Sequence, residues 1–191
     1  EGTKSATGVG TSAQMGLLLQ PVPQITVEAD PLFTHAAGET RFAAGATAPG
    51  GNYVFGQLRA DSASLIVRAT YLFTPRLSLQ LYAQLFVAAG HYSNFQTFPR
   101  SAAGTPIRLS ALSPSGAPAT NPDFEQGALN ANVVLRWEYR LGSILYLVYS
   151  RSQAPQVTLD PGQPASLTTA AVVKSPAVDV ILLKANFWWS R

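Results

Sequence analysis

Apolar and polar side chains alternate with a period of two along the segment between Leu77 and Tyr92. One set of positions carries Leu77, Leu79, Leu81, Ala83, Leu85, Val87 and Ala89, and the other Ser78, Gln80, Tyr82, Gln84, Phe86 and Ala88. Successive side chains of a strand point to opposite sides of a sheet, so this period predicts a β-strand. The segment is longer than the roughly five or six residues usual for strands of soluble sheets.

Six further segments show the same alternation, more weakly in the one that follows Ser143. They begin and end at Val9 and Gln20, Ile25 and Phe33, Leu65 and Phe73, Val133 and Arg140, Leu145 and Tyr149, and Ile181 and Trp189. The pattern predicts an all-β chain of seven antiparallel strands. Each is long enough for the roughly 9–11 residues that a tilted membrane strand needs.

The predicted connections alternate between short and long without exception. Short turns are expected at 21–23, 74–76 and 141–143, where Pro and Gly interrupt the alternation. Long loops rich in Gly, Pro, Ala, Ser and Thr are expected at about 36–63, 93–127 and 152–175. This sorting is typical of an up-and-down transmembrane β-barrel with tight turns at one membrane face and long loops at the other.

Composition excludes several other classes of protein. The chain is 47% hydrophobic but only 12% charged, which argues against intrinsic disorder, and it has no cysteine for disulfides or thiolate metal sites. No apolar run approaches the roughly 20 residues of a spanning helix. The net charge of +3 is too small and too scattered to indicate a nucleic-acid partner.

Aromatic side chains cluster where the predicted strands meet the short turns or the chain ends. They are Tyr71, Phe73, Trp137, Tyr139, Phe187, Trp188 and Trp189. Such clustering is typical of the aromatic girdle at a membrane interface, in contact with outer-membrane lipid. Aromatic capping of a sandwich core is the alternative.

Charged side chains at the alternate strand positions are expected on the inward face of such a barrel. They are Glu28, Asp30, Arg68, Arg136, Glu138, Arg140 and Lys184. They would either set the electric field of a pore or form salt bridges and hydrogen bonds inside the barrel. We favour the second interpretation.

Strand parity predicts that the 191 residues form the C-terminal part of a larger barrel. If the last strand ends at the periplasmic side, every short turn lies there and Glu1 lies outside. Single-chain bacterial barrels usually have an even number of strands, and lipid does not tolerate unpaired sheet edges. The missing strands would come from the same precursor or from another chain, and assembly with other membrane or surface proteins is a further expectation. The alternative is an eighth strand at 53–59, although that segment more plausibly extends its neighbour above the membrane.

Three runs resemble the C-terminal barrel of a family of largely uncharacterised bacterial outer-membrane proteins. They are YLFTPRLSLQLYAQ at 71–84, NVVLRWEYR at 132–140 and LLKANFWW at 182–189. In that family a carbohydrate-binding-like β-sandwich precedes the barrel. The resemblance implies an outer-membrane location and a larger barrel, but no catalytic residues. The chain departs from the pattern by lacking the sandwich and by ending in Ser190 and Arg191 after the aromatic residues.

The sequence indicates no catalytic residue, metal site or cofactor. His35 and His91 lack the partners of a metal site, and His91 has only Ser93 and Asn94 nearby as possible members of a hydrolase triad. Gly45, Gly50 and Gly51 have no strand–helix context for a phosphate loop.

The leading prediction is therefore a non-enzymatic outer-membrane protein that acts as a porin-like channel or as a scaffold for extracellular loops. An outer-membrane hydrolase of lipid or peptide and a soluble β-barrel that binds an apolar ligand remain the alternatives.

Overall fold

The computed structural model describes residues 8–100, 104, 106–155 and 157–189. Most of these residues lie in long strands. The strands are β1 (Val9–Gln14), β2 (Leu17–Val22), β3 (Ile25–Thr47), β4 (Tyr53–Thr74), β5 (Leu77–Phe98), β6 (Ser113–Pro114), β7 (Phe124–Arg140), β8 (Ser143–Gln153) and β9 (Val178–Asn186). One short helix, α1 (Ala170–Lys174), and single 3-10 turns at Pro49–Gly51 and Leu109–Ala111 lie between them. None of the helices in the described ranges is long and apolar enough to cross a membrane.

All nine strands belong to one antiparallel sheet with the order β1-β3-β4-β5-β7-β8-β9. β1 and β2 both pair with β3, one after the other, and β6 adds two residues to β5. The sheet therefore has seven principal positions, and the predicted all-β antiparallel fold is confirmed. The sheet is open, with β1 and β2 along one edge and β9 along the other.

The predicted loop at 36–63 is wrong, because most of it is strand. β3 continues to Thr47 and β4 begins at Tyr53, so only a short connection remains. Register shifts after Ala37 and Phe42 carry the ladder through the Gly- and Ala-rich part of β3. Such bulges disturb the two-residue period that sequence analysis depends on. Residues 53–59 are the first part of β4 and not an eighth strand, so they extend their neighbour as expected.

The other two long connections differ in how closely they match the predictions. The predicted loop at 93–127 is too long, since β5 runs to Phe98 and β7 begins at Phe124, while β6 pairs with β5 in between. The connection from β8 to β9 covers 154–177 and is close to the predicted 152–175. Part of the 93–127 prediction, at 101–103 and 105, lies outside the described residues.

The short turns are confirmed close to the predicted positions. β2 and β3 are joined at Pro23 and Gln24, β4 and β5 at Pro75 and Arg76, and β7 and β8 by 141–142. Gly142 has a φ of 76°, which an L side chain rarely adopts, so glycine suits this hairpin. All three turns lie at one end of the sheet, which we call the turn end. The opposite end is the loop end.

Half of the buried apolar side chains among the described residues form two small clusters at the loop end. Ala43, Ala46 and Val54 form one of them, and the other consists of Phe55, Phe98 and Leu112. Val54 and Phe55 are neighbours on β4, so the two clusters lie on opposite faces of the sheet. They stabilise the part of β3, β4 and β5 that extends beyond the other strands.

Candidate functional site: the two faces of the sheet

One face of the sheet is mostly polar. Successive rows of hydrogen-bonded neighbours on this face are Thr26–Thr70–Gln80–Val134, Glu28–Arg68–Tyr82–Asn132–Ser150 and Asp30–Ile66–Gln84–Asn130–Ser152. We call this surface, together with the row Ser78–Arg136–Tyr146–Lys184, the polar face. It collects the predicted lumen charges Glu28, Asp30, Arg68, Arg136 and Lys184 from four different strands.

The opposite face is apolar over most of its area, and we call it the apolar face. Its rows include Ile25–Tyr71–Leu79–Leu135–Leu147–Leu183, Val27–Ala69–Leu81–Val133–Tyr149–Ile181, Ala29–Val67–Ala83–Ala131 and Pro31–Leu65–Leu85–Leu129. Many of these side chains are exposed, including Leu65, Leu147, Ile181 and Leu183. An exposed apolar surface of this extent is unusual for a soluble monomer and marks a surface that contacts a partner or a membrane.

The predicted girdle residues form three exposed ring pairs at the turn end. Their ring centroids lie 4.4 Å apart for Tyr71 and Phe73, 6.0 Å for Trp137 and Tyr139, and 6.1 Å for Phe187 and Trp189. Tyr71 and Trp137 belong to rows of the apolar face. Trp188 is different, because it lies against Gly142 and its backbone N–H donates to Ser143 Oγ at 3.0 Å.

The aromatic boundary of the apolar face runs obliquely to the strands. The row through Tyr71 contains Leu135 on β7 and Leu183 on β9. The ring pairs of these two strands begin nearer the turn end, at Trp137, two residues beyond Leu135, and at Phe187, four residues beyond Leu183. A shift of one residue per strand, with about 3.3 Å per residue and 4.8 Å between strands, corresponds to a tilt of roughly 35°.

A polar boundary limits the apolar face toward the loop end and is displaced in the same direction. It is marked by Asp61 on β4 and by Asp179 on β9. The two aspartates can be compared by the residues of β7 that lie in their rows. The row of Asp61 contains Glu125, and the row of Asp179 contains Ala131, which is six residues nearer the turn end. Between the two boundaries the apolar band is roughly 25–30 Å high when the strands are tilted.

Arg68 lies at the centre of an ion-pair cluster on the polar face. Its Nη1 is 3.0 Å from Asp30 Oδ2 and 3.8 Å from Glu28 Oε2, and the guanidinium lies 5.7 Å from the Tyr82 ring centroid. The structure thus brings three of the predicted charges together, as the salt-bridge interpretation expects. The side chains of Arg68 and Glu28 are about half exposed, so each pair stabilises the fold only weakly.

The remaining predicted lumen charges are not paired with one another. The Glu138 carboxylate accepts the backbone N–H of Gly142 at 3.0 Å and therefore stabilises the turn between β7 and β8. Arg140 lies beyond a bulge, opposite Ser143. The side chains of Arg136 and Lys184 make no ion pair or hydrogen bond with other described residues.

Polar side chains between these charges form cross-strand hydrogen bonds. Ser150 Oγ donates to Asn132 Oδ1 at 2.6 Å, and Ser152 Oγ donates to Asn130 Oδ1 at 2.9 Å. Within the described ranges, no buried side-chain nitrogen or oxygen is left without a hydrogen bond. The polar face is therefore suited to contact with water and small polar solutes.

Two histidine–aspartate pairs lie near the polar boundary at the loop end. His35 Nδ1 is 2.7 Å from Asp61 Oδ1, and His91 Nδ1 is 2.6 Å from Asp123 Oδ2. The Asp123 side chain is 7% exposed and also accepts the backbone N–H of Tyr92. Sequence reasoning missed both aspartates, because they lie 26 and 32 residues from their histidine partners.

For the hydrolase interpretation, the structure supplies Asp123 as a carboxylate partner of His91 but places no nucleophile of the described residues beside the ring. Asn94, one of the predicted companions of His91, donates instead to Gln57 Oε1 at 2.6 Å. No hydroxyl of the described residues hydrogen-bonds to the ring of His91 or His35. A Ser–His–Asp mechanism requires that hydrogen bond, because the imidazole accepts the proton of the attacking hydroxyl.

Two groups have shifted pKa values in the part of β3 and β5 that lies at the loop end. Burial raises the pKa of the Tyr92 phenol, nearby Arg41 lowers it, and Asp123 adds to the increase. The pKa of Arg41 is raised because its guanidinium hydrogen-bonds to Glu39, with distances of 2.9 and 2.7 Å to Oε2. Tyr92 is thus kept neutral and Arg41 charged, which suits a structural role for both.

The connection between β8 and β9 crosses the apolar face at the loop end. Val172 of α1 is 1% exposed, and a Cβ placed on Gly127 would overlap its Cγ2. Ser166 donates through its N–H and its hydroxyl to Glu125, while Gln153 donates to the carbonyls of Val172 and Ser175. Beside this loop lies an open apolar depression of about 450 Å³, lined by Phe33, Leu65, Leu85 and Val87 among others.

The part of the chain that the structure describes contains no group of three or more His, Asp or Glu side chains placed to hold a metal ion. No known protein family, curated protein or solved structure matches this chain. The resemblance to bacterial outer-membrane proteins therefore stays a prediction.

Proposed function

We propose that this sheet is part of a transmembrane β-barrel of the bacterial outer membrane, without enzymatic activity. The barrel acts as a porin-like channel or as a scaffold that presents the loop end outside the cell. The observation that carries the proposal is the apolar face, an exposed oblique band bounded by aromatic pairs at the turn end and by charged residues at the loop end.

The dimensions of this band support lipid as its partner. Outer-membrane barrels have an apolar band about 25 Å tall and strands tilted by about 35–45°. The band derived from the strand register is roughly 25–30 Å high and the tilt is roughly 35°. A soluble sandwich offers no reason for both boundaries to shift together across the strands.

The open edges support completion of the barrel by further strands. β9 is exposed along its whole length, and so are β1 and β2. Because these edges are the first and the last of seven antiparallel positions, they run in the same direction and cannot pair antiparallel with each other. An odd number of additional strands, from the same precursor or from another chain, removes both edges from lipid.

Membrane fractionation of the full-length protein tests the location. We expect the protein in the outer-membrane fraction, released by detergent but retained after alkaline carbonate washing. Recovery in the soluble fraction without detergent would contradict the proposal and favour a soluble protein that binds an apolar ligand on this face.

Planar-bilayer recordings of the purified full-length protein separate the channel from the scaffold. A channel lined by the polar face gives discrete conductance steps that scale with salt concentration. Membrane insertion without conductance assigns the scaffold role.

The hydrolase alternative is tested with His91→Ala and a fluorogenic lipid ester and peptide. We expect no hydrolysis by the wild-type protein and hence no change in the variant. Hydrolysis that disappears in His91→Ala and persists in His35→Ala would refute the non-enzymatic role.

A further inference from the structure

We propose that Arg136 and Lys184 on the polar face bind a small oxyanion, a phosphate or a dicarboxylate, near the turn end of the lumen. This inference rests on the proposed barrel, in which the polar face lines the interior. It specifies the class of solute that the lumen favours.

The strand register places both cations in one row, on either side of Tyr146. Arg136 on β7 is aligned with Tyr146 on β8, which is aligned with Lys184 on β9. Two strand spacings separate the Cα atoms of the two cationic residues by roughly 9–10 Å. Side chains as long as Arg and Lys can converge on one anion from that separation, and the Tyr146 hydroxyl between them is a further donor.

Neither positive charge is compensated by the described residues. Arg136 and Lys184 have no ion pair there, and neighbouring Arg140 adds a third positive charge. The one acidic group nearby is Glu138, whose carboxylate is hydrogen-bonded to the backbone N–H of Gly142. Like charges in one row repel, and a bound anion relieves that repulsion.

The Arg68 cluster is a contrasting case on the same face. Arg68 is also on the polar face, but Asp30 and Glu28 lie 3.0 and 3.8 Å from its Nη1. That cluster carries a net charge of −1, whereas Arg136, Lys184, Arg140 and Glu138 together carry +2. The donor set favours oxyanions over halides, because guanidinium N–H groups match the geometry of phosphate and carboxylate oxygens.

Binding is measured by titrating the full-length protein in detergent with inorganic phosphate, succinate and sodium chloride, and following amide chemical shifts of β7 to β9. We expect saturable shifts with phosphate or succinate and not with chloride. Arg136→Gln together with Lys184→Gln should weaken binding by about tenfold or more. Lys174→Gln on α1 removes one charge outside the lumen and is expected to bind like wild type.

The conservative variants Arg136→Lys and Lys184→Arg are controls that separate the loss of charge from a folding defect. Both retain the positive charge and should retain binding. Unchanged binding in the double Gln variant, or equal shifts with chloride, would overturn the inference.

The proposed channel is tested separately, by conductance. If the wild type conducts, the double Gln variant should shift the reversal potential in a potassium chloride gradient toward cation preference. An unchanged reversal potential would refute the selectivity role.

Discussion

The two faces of the sheet use the same backbone in opposite ways. The polar face pairs several of its charged and hydroxyl side chains through cross-strand contacts, as Arg68 does with Asp30 and Ser150 does with Asn132. The apolar face has few internal partners and leaves Leu147 and Ile181 exposed. A polar surface is stable in water, but an exposed apolar surface requires a cover. The two faces are therefore suited to different surroundings.

The largest expected effect comes from placing one charge on each face at neighbouring positions. Val133 belongs to the apolar face and Val134 to the polar face. In lipid vesicles we expect Val133→Arg to lower the free energy of unfolding by about 2–4 kcal/mol, because the charge faces the hydrocarbon. Val134→Arg should cost about 1 kcal/mol or less.

Urea titration of the vesicle-inserted full-length protein, followed by tryptophan fluorescence, measures both values. Equal losses in the free energy of unfolding for the two variants would contradict the assignment of the faces. A larger loss for Val134→Arg would reverse it.

A smaller effect is expected where a loop covers the apolar face. A Cβ on Gly127 would overlap Val172 Cγ2, so Gly127→Ala must displace α1 or distort β7, at a cost of about 1–3 kcal/mol. Protease cleavage within 154–177 should become faster. Gly116→Ala is the matched control, because its added Cβ meets no atom within 4 Å. Unchanged cleavage in Gly127→Ala would show that α1 does not pack here.

The smallest effect is expected from breaking the central ion pair of the polar face. Arg68→Gln removes the contacts with Asp30 and Glu28, but these side chains are partly exposed and screened by water. The free energy of unfolding should change by about 0–1 kcal/mol. A double-mutant cycle with Asp30→Asn measures the coupling directly. A coupling well above this range would mean that the cluster is shielded from water.

The sequence predicted the strands where alternation was uninterrupted, as from Leu77 to Tyr92. It failed at 36–63, where bulges in β3 and many small residues hide a strand that continues to Thr47. It also placed the ring pairs Trp137–Tyr139 and Phe187–Trp189 at one boundary. It could not identify Asp61 or Asp123 as histidine partners, because nothing local connects residues so far apart along the chain.

The β class, the three short turns and the face of each residue in the predicted strands could be read from the sequence alone. These follow from the two-residue period and from Pro and Gly, which act locally. The register, the oblique band, the Arg68 ion pairs and the unpaired row of Arg136 and Lys184 became apparent from the three-dimensional arrangement of the strands. Cross-strand neighbours are set by pairing between distant segments, which alternation along one strand does not specify.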